Sequence, residues 1–234
     1  MSIYPRAGIF ITGTHTEVGK TYVTSLLARW FTRQGCRVGV YKPVASGCEM
    51  VDGQLVPQDG VELWEAAGRP GTLHDVCPQA FLAPLAPHLA ARQAGQRVDD
   101  QLLRQGLSVW TDRCDLVLVE GAGGLMSPIS DSDYVADLAA EFGYPLLIVA
   151  PNTLGVINQT LQTVITAQHH RPPLAVTGVI LNDVRSPSND LSCATNYSEL
   201  VQRLPIPVLA HVPLQGGVEA VSHLDWRHWA NAPR

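Results

Sequence analysis

Residues 13–21 read Gly13-Thr14-His15-Thr16-Glu17-Val18-Gly19-Lys20-Thr21 and match G-x-x-x-x-G-K-[ST] in full. The chemistry of this spacing is phosphate binding. Backbone N–H groups at a helix start converge on phosphate oxygens, and the helix dipole favours negative charge there. Glycine lets the backbone approach closely. Lys20 reaches the outer phosphates, and the Thr21 hydroxyl is of the type that ligates magnesium. Two further constellations carry chemistry. Lys42-Pro43-Val44-Ala45-Ser46-Gly47 places a lysine on a constrained loop, with Ser46 close behind it. Glu120-Gly121-Ala122-Gly123-Gly124 closes an apolar run with an acid, which is what magnesium needs opposite a phosphate loop. The glycines after it let the chain pass close to a nucleotide.

The elements that must position these residues follow from hydrophobic patterning. Short, continuous apolar runs at 8–12, 38–41, 116–120, 146–150, 176–181 and 207–212 read as strands buried on both faces. Helical spacing fills 19–34, 61–67, 99–110, 134–142, 156–169 and 191–204. The alternation predicts a doubly wound, mostly parallel α/β sheet with helices on both faces, a three-layer α/β/α domain of the P-loop NTPase type over residues 1–234. Ligands in such sheets bind at the carboxyl ends of the strands. Lys42 and Glu120 fall at that rim, whereas Asp115 falls at the opposite one. The Gly- and Pro-rich stretch 48–97 reads as a long excursion with a short helix near Val61 and an extended piece around 81–88. The stretch 223–234, with Trp226 and Trp229, reads as a helix packed on the core.

Composition bounds the function. The chain has 234 residues, 46% hydrophobic and 16% charged, with a net charge of −5. That is a globular balance, and it argues against a nucleic-acid binder, which presents a basic face. No apolar run approaches a membrane span, and the run 7–11 is too short for a signal sequence. Five scattered cysteines with no C-x-x-C pair suit free thiols in a reducing cytoplasm.

Taken in order, the blocks GTHTEVGKT, YKPVASG and VEGAGG resemble the signatures of the dethiobiotin synthetase family, with APHLAA at 86–91 resembling its substrate-loop segment. The resemblance runs from Gly8 to about Val218. It implies an ATP-dependent cyclo-ligase that acts on 7,8-diaminopelargonate, carbon dioxide (or bicarbonate) and ATP with Mg2+. It implies that Lys20, Lys42 and Thr16 serve catalysis, and that Thr21, Asp59 and Glu120 organise magnesium. Glu17, Val18, Gly19, Lys20, Thr21 and Tyr22 would wrap the phosphates, and Gly121, Ala122 and Gly123 would border them. Asn182 and Asp183, with Pro213 and Leu214, would line the adenine pocket; an Asn carboxamide offers a purine edge both a donor and an acceptor. Ser46 would contact the diamine or its carbamate. Gly155, Val156 and Asn158, at a helix start, would hold the substrate carboxylate across a homodimer interface.

Alternatives stand beside several of these. Asp59 has a helix N-cap as its alternative role, which need not exclude the first, and Glu49, Asp52 and Glu62 are competing acids in the same excursion. Asn182 could be a turn residue. His15 stands where the family commonly has Asp, and Ala86 where Ser is frequent; neither change removes a group the chemistry needs. Partition-type ATPases of the same superfamily carry an additional lysine early in the loop, where this chain has Thr14-His15. A cobyrinate-type amide ligase needs a glutaminase domain, for which 234 residues leave no length.

The two lysines are expected to separate in kinetics. Lys42→Ala should lower kcat more than it weakens ATP affinity, because Lys42 acts at the transferring group. Lys20→Ala should impair both. Weakened nucleotide binding with intact turnover in Lys42→Ala, measured by steady-state kinetics beside equilibrium titration, would contradict this division.

Overall fold

The structure, a computed structural model, describes residues 4–186 and 190–230. Strand β1 (Gly8–Gly13) is buried throughout and leads into helix α1 (Lys20–Arg33). Strand β2 (Val38–Tyr41) follows, then the short β3 (Ala45–Ser46), the hairpin β4 (Glu49–Val51) and β5 (Gln54–Val56), helix α2 (Gln58–Ala66), helix α3 (Leu73–Val76) and strand β6 (Ala80–Phe81). Helices α4 (Pro87–Gln93) and α5 (Asp100–Gln105) precede β7 (Leu116–Gly124). The remainder alternates: α6 (Val135–Phe142), β8 (Leu146–Pro151), α7 (Val156–His169), β9 (Val176–Asn182), α8 (Cys193–Arg203), β10 (Val208–Val212) and α9 (Trp226–Ala230).

The main sheet runs β10-β9-β8-β1-β7-β2, and every neighbouring pair is parallel. Parallel pairing places all six carboxyl ends on one rim. Right-handed crossovers put α1 on one face and α6, α7 and α8 on the other. Among the described residues no helix is long and apolar enough to cross a membrane.

The structure differs from the sequence expectations where side chains compete with helix geometry. The helix expected over 99–110 is α5 followed by a tighter 3-10 turn, Gly106–Trp110. The Tyr41 hydroxyl contacts the carbonyls of Leu102 and Leu103 at 3.0 and 2.9 Å, and a Cβ at Gly106 would lie 2.4 Å from it. The piece expected to be extended over 81–88 is a strand only at its start. Pro87 opens α4, where the missing N–H of a proline is harmless at a helix N-terminus. Helix α9 docks through buried Trp229, whose ring lies 5.7 Å from that of Phe31 and whose Nε1 donates to Thr177 Oγ1 at 2.9 Å. Residues 231–234 of that expected helix lie outside the described residues.

The excursion folds back onto the chain that carries Lys42. Backbone N–H groups of Lys42, Ala45, Gly47 and Cys48 donate to the carbonyls of Val76, Gln79, Ala83 and Phe81 at 2.7–3.0 Å. Buried Gln79 then ties the excursion to the start of α5: its Nε2 donates to Asp99 O at 3.1 Å, and its Oε1 accepts from Asp99 N at 2.8 Å. Gln79→Ala leaves both Asp99 backbone groups without these partners. It is expected to lower unfolding free energy by about 1–3 kcal/mol, read as a shift in the denaturant midpoint at unchanged slope. No shift would show that Gln79 is not a tie.

Candidate functional site

The loop between β1 and α1 turns its amides inward by passing through left-handed backbone at Glu17 (φ 60°) and Gly19 (φ 85°). Such alternation makes an anion-binding nest. Glycine is required at 19 for space as well, since a Cβ there would meet Asn182 Nδ2 at 2.2 Å. Lys20 opens α1 and its Nζ donates to His15 O at 3.3 Å, curling over the loop.

Four side chains from four parts of the chain meet beside this nest. Lys42, one residue beyond β2, directs Nζ to Glu120 Oε1 at 2.6 Å and to Asp59 Oδ2 at 2.9 Å. Thr21 Oγ1 donates to the same Glu120 oxygen at 2.8 Å. Glu120 is fully buried and its Oε2 has no hydrogen-bond partner. Asp59 sits in the first turn of α2, but Pro57 is the N-cap residue, so the capping alternative does not hold. The competing acids lie elsewhere: Glu49 accepts from Gln58 on the exposed hairpin, Asp52 forms the hairpin turn, and half-buried Glu62 faces Ser25 and Arg29. Asp115 pairs with Arg37 at 2.6 Å at the far rim.

The electrostatics divide the two lysines. Burial pulls the Lys42 ammonium down, but Glu120 and then Asp59 outweigh it and hold the group above its ordinary value. Lys20 is pushed down to about 8, first by burial and then by the Lys42 charge, with Glu120 and Asp59 opposing. The Lys42 charge holds the Asp59 carboxyl below its usual range against the pull of burial.

Lys20, Thr21, Lys42 and Asp59 line one cleft of about 780 Å³, together with Thr16, Glu17, Gly19, Ser46, Ala122 and Gly123, and Glu120 lies buried behind Lys42 and Thr21. Ser46 is held there by β3–β6 pairing opposite Phe81. Gly121 is buried one residue back, where a Cβ would meet Val135. Sequence reasoning missed Ser127 and Pro128, and also Pro84 and Leu85, on the same cleft. Ser127 Oγ accepts from Gly124 N at 2.8 Å, closing the turn after β7; a serine three residues beyond the glycine run was the available signal.

The base-binding candidates lie along β9 and β10. Asn182 is no turn residue: it ends β9, buried, and its Nδ2 donates to Val18 O at 3.0 Å, leaving Oδ1 buried and unpartnered. Asp183 is consumed internally, accepting from Asn152 Nδ2 at 2.7 Å and contacting His211 Nε2 at 2.8 Å. Pro213 and Leu214 are exposed beyond β10, and the Tyr22 hydroxyl holds their loop through Gly216 O. Gly155, Val156 and Asn158 are not brought to the cleft. Val156 is buried with its N–H on Thr153 O, while Gly155 and Asn158 are exposed at the start of α7. That start borders a second hollow, lined by His15, Thr16, Glu17, Thr153, Leu154 and Leu191.

A sequence-family model described as an AAA domain matches residues 7–222. The chain is 45% identical over 219 residues to the ATP-dependent dethiobiotin synthetase of Rhodopirellula baltica, covering 89% of this chain and 84% of that protein. It is 35% identical to the protein of the same name from Thermodesulfovibrio yellowstonii, covering 89% of each. The signal recognition particle receptor FtsY of Elizabethkingia anophelis superposes with a TM-score of 0.53 at 14% identity, over 97% of this chain and 64% of that one, which is a likeness of fold alone.

A free Lys20 near 8 is charged below that pH and increasingly neutral above it. Phosphate oxygens against it favour the charged form. Nucleoside triphosphate binding at about pH 8 is therefore expected to take up protons, seen calorimetrically as a dependence of apparent enthalpy on buffer ionisation. Lys20→Met should abolish that uptake. Buffer-independent enthalpy in the unaltered protein would contradict the assignment.

Proposed function

The chain belongs to the ATP-dependent dethiobiotin synthetase family, and from that premise we propose that it closes the ureido ring of dethiobiotin, the penultimate step of biotin biosynthesis. Its substrates are then 7,8-diaminopelargonate, carbon dioxide and ATP, and it releases ADP and phosphate. The observation that carries the reading is a cleft at the carboxyl rim of the sheet lined by two ammonium groups, the Asp59 carboxylate and the Thr21 hydroxyl, with the buried Glu120 carboxylate held directly against Lys42 and Thr21.

In this reaction one amine of the substrate captures carbon dioxide as a carbamate. The carbamate takes the γ-phosphoryl group of ATP, and the second amine attacks the resulting mixed anhydride, expelling phosphate. Phosphoryl transfer asks a protein mainly for positioning and for stabilisation of negative charge. Lys20, in the phosphate nest, serves the donor. Lys42, from the facing strand end, serves the carbamate and the group in transit. Thr16 and Ser46 border the space between the lysines and suit the polar diamine end.

Thr21, Asp59 and Glu120 offer hard oxygen donors of the kind magnesium takes. The orphaned Glu120 Oε2 is an acceptor that such an ion satisfies, so the residues fit. Among the described residues no group of three His, Cys, Asp or Glu side chains forms a ready-made cage. That accords with an ion held jointly by a few side chains, water and substrate phosphates. When bound, magnesium neutralises phosphate charge.

The second hollow supports a homodimeric site. Leu154 and Leu191 stand 81% and 95% exposed at its edge, and a second copy would cover them. Gly155 and Asn158 beside them would then receive the substrate carboxylate. The reading places the chain in a reducing cytoplasm, which its free cysteines suit.

The test is product formation. Purified protein given 7,8-diaminopelargonate, bicarbonate and magnesium–ATP should yield dethiobiotin by mass spectrometry, with ATP hydrolysis dependent on the diamine. Because Asn182 Nδ2 is engaged and its oxygen is free to accept, ATP and CTP, whose bases carry an amine where those of GTP and UTP carry a carbonyl oxygen, should be preferred to GTP and UTP. Hydrolysis indifferent to the diamine, with no dethiobiotin, would refute the reading.

A further inference from the structure

The oxygens assigned to magnesium above already hold a cation. Lys42 Nζ lies between Asp59 Oδ2 and Glu120 Oε1, at 2.9 and 2.6 Å, and Thr21 Oγ1 shares the second of these at 2.8 Å. Glu120 Oε1 is thus used twice while Oε2, equally buried, is left empty. The Lys42 side chain is only 4% exposed and that of Glu120 is wholly buried.

From this arrangement we infer that Lys42 is the stand-in cation of the nucleotide-free site: its ammonium and the divalent metal compete for the Asp59–Glu120 pair, and metal-bound nucleotide displaces Lys42 into the cleft, toward the acceptor. The inference rests on the proposed function for the identity of metal and acceptor.

Three physical points carry it. First, a fully buried carboxylate needs a counter-charge, and in the free protein Lys42 supplies it. Second, an ammonium and a divalent ion against the same two carboxylates repel at a separation of a few ångströms, most of all beside Glu120, which is wholly buried. One must yield, and Lys42 has the freedom to do so. Its backbone is pinned through Val76 O, but its four-carbon stem turns by ordinary rotamer changes. Third, the space it would enter is already there: Lys42, Lys20, Ser46 and Gly123 line one cleft. The displaced ammonium then faces the phosphate nest rather than the carboxylates. Storage and delivery of the catalytic charge become one event, coupled to nucleotide arrival. Metal alone should bind poorly, because it brings no negative phosphates to offset the charge it must expel.

Manganese alone, titrated without nucleotide and read by electron paramagnetic resonance, tests the competition. Lys42→Met should bind it about tenfold or more tightly than the unaltered protein; equal affinities would overturn the inference. Should that variant fail to fold, nitrogen-15 NMR of the Lys42 ammonium in the unaltered protein decides. The signal should be protected in the free protein, stay put with nucleotide analogue alone, and move when magnesium and a non-hydrolysable ATP analogue are both present. A signal unmoved by the metal–nucleotide pair would overturn the inference. Neither readout needs turnover. Dethiobiotin formation with an unmoved lysine defeats only this inference, whereas a displaced lysine with no product defeats only the proposed reaction.

Discussion

An ammonium buried as deeply as that of Lys42 persists in a folded chain only if carboxylates meet it. Removing one partner of such a pair leaves an uncompensated charge and costs about 3–5 kcal/mol. Here the requirement is sharper, because a second ammonium, Lys20, borders the same cleft and the two repel. Glu120 and Asp59 therefore do more than offer oxygens to the proposed metal. They permit two like charges to coexist at a place where negative phosphates are to be received.

The sheet meets this requirement through register. Tyr41 pairs with Val119, so the next residue along β2, Lys42, comes level with Glu120 on β7. Ile11 pairs with the same Glu120 from the other side, which brings the phosphate nest at the end of β1 alongside. A slip of one residue in either ladder would turn the acid or the lysine to the wrong face. The site is thus fixed by the pairing of β1, β7 and β2, and the loops refine it. Asp59 is the exception. It arrives from the excursion, which is why that excursion is stitched to residues 42–48 by four backbone hydrogen bonds.

What the sequence disclosed follows the same division. Apolar runs buried on both faces made the six main strands legible, and β2 agrees with its expected bounds. The phosphate nest and Glu120 were legible because glycine spacing and a strand-ending acid have local causes. Asp59 entered the site by resemblance rather than by local pattern, and its ion pair with Lys42 was not foreseen, since the contact spans the excursion. The short pairing of β3 with β6 carries no periodicity, and the break at Gly106 depends on a hydroxyl from Tyr41, far away in sequence. The internal use of Asp183 was equally hidden: its partners Asn152, just beyond β8, and His211, on β10, flank the end of β9 only in the folded sheet.

The fold is common property, as the likeness to FtsY at 14% identity indicates, and a shared scaffold does not dictate chemistry. What distinguishes this chain is hung on the end of β2. A phosphate nest alone presents one lysine to a donor. The ring closure proposed above also demands a positive group for an acceptor that would become anionic only on capturing carbon dioxide. An exposed lysine would be screened by water and free to wander. A buried one, neutralised by carboxylates and fixed at its backbone by Val76, keeps its charge at a defined place until negative charge enters the cleft. The excursion that supplies both Asp59 and Val76 is, on this argument, the part of the fold that converts a general nucleotide cradle into a site for a two-ended anionic reaction.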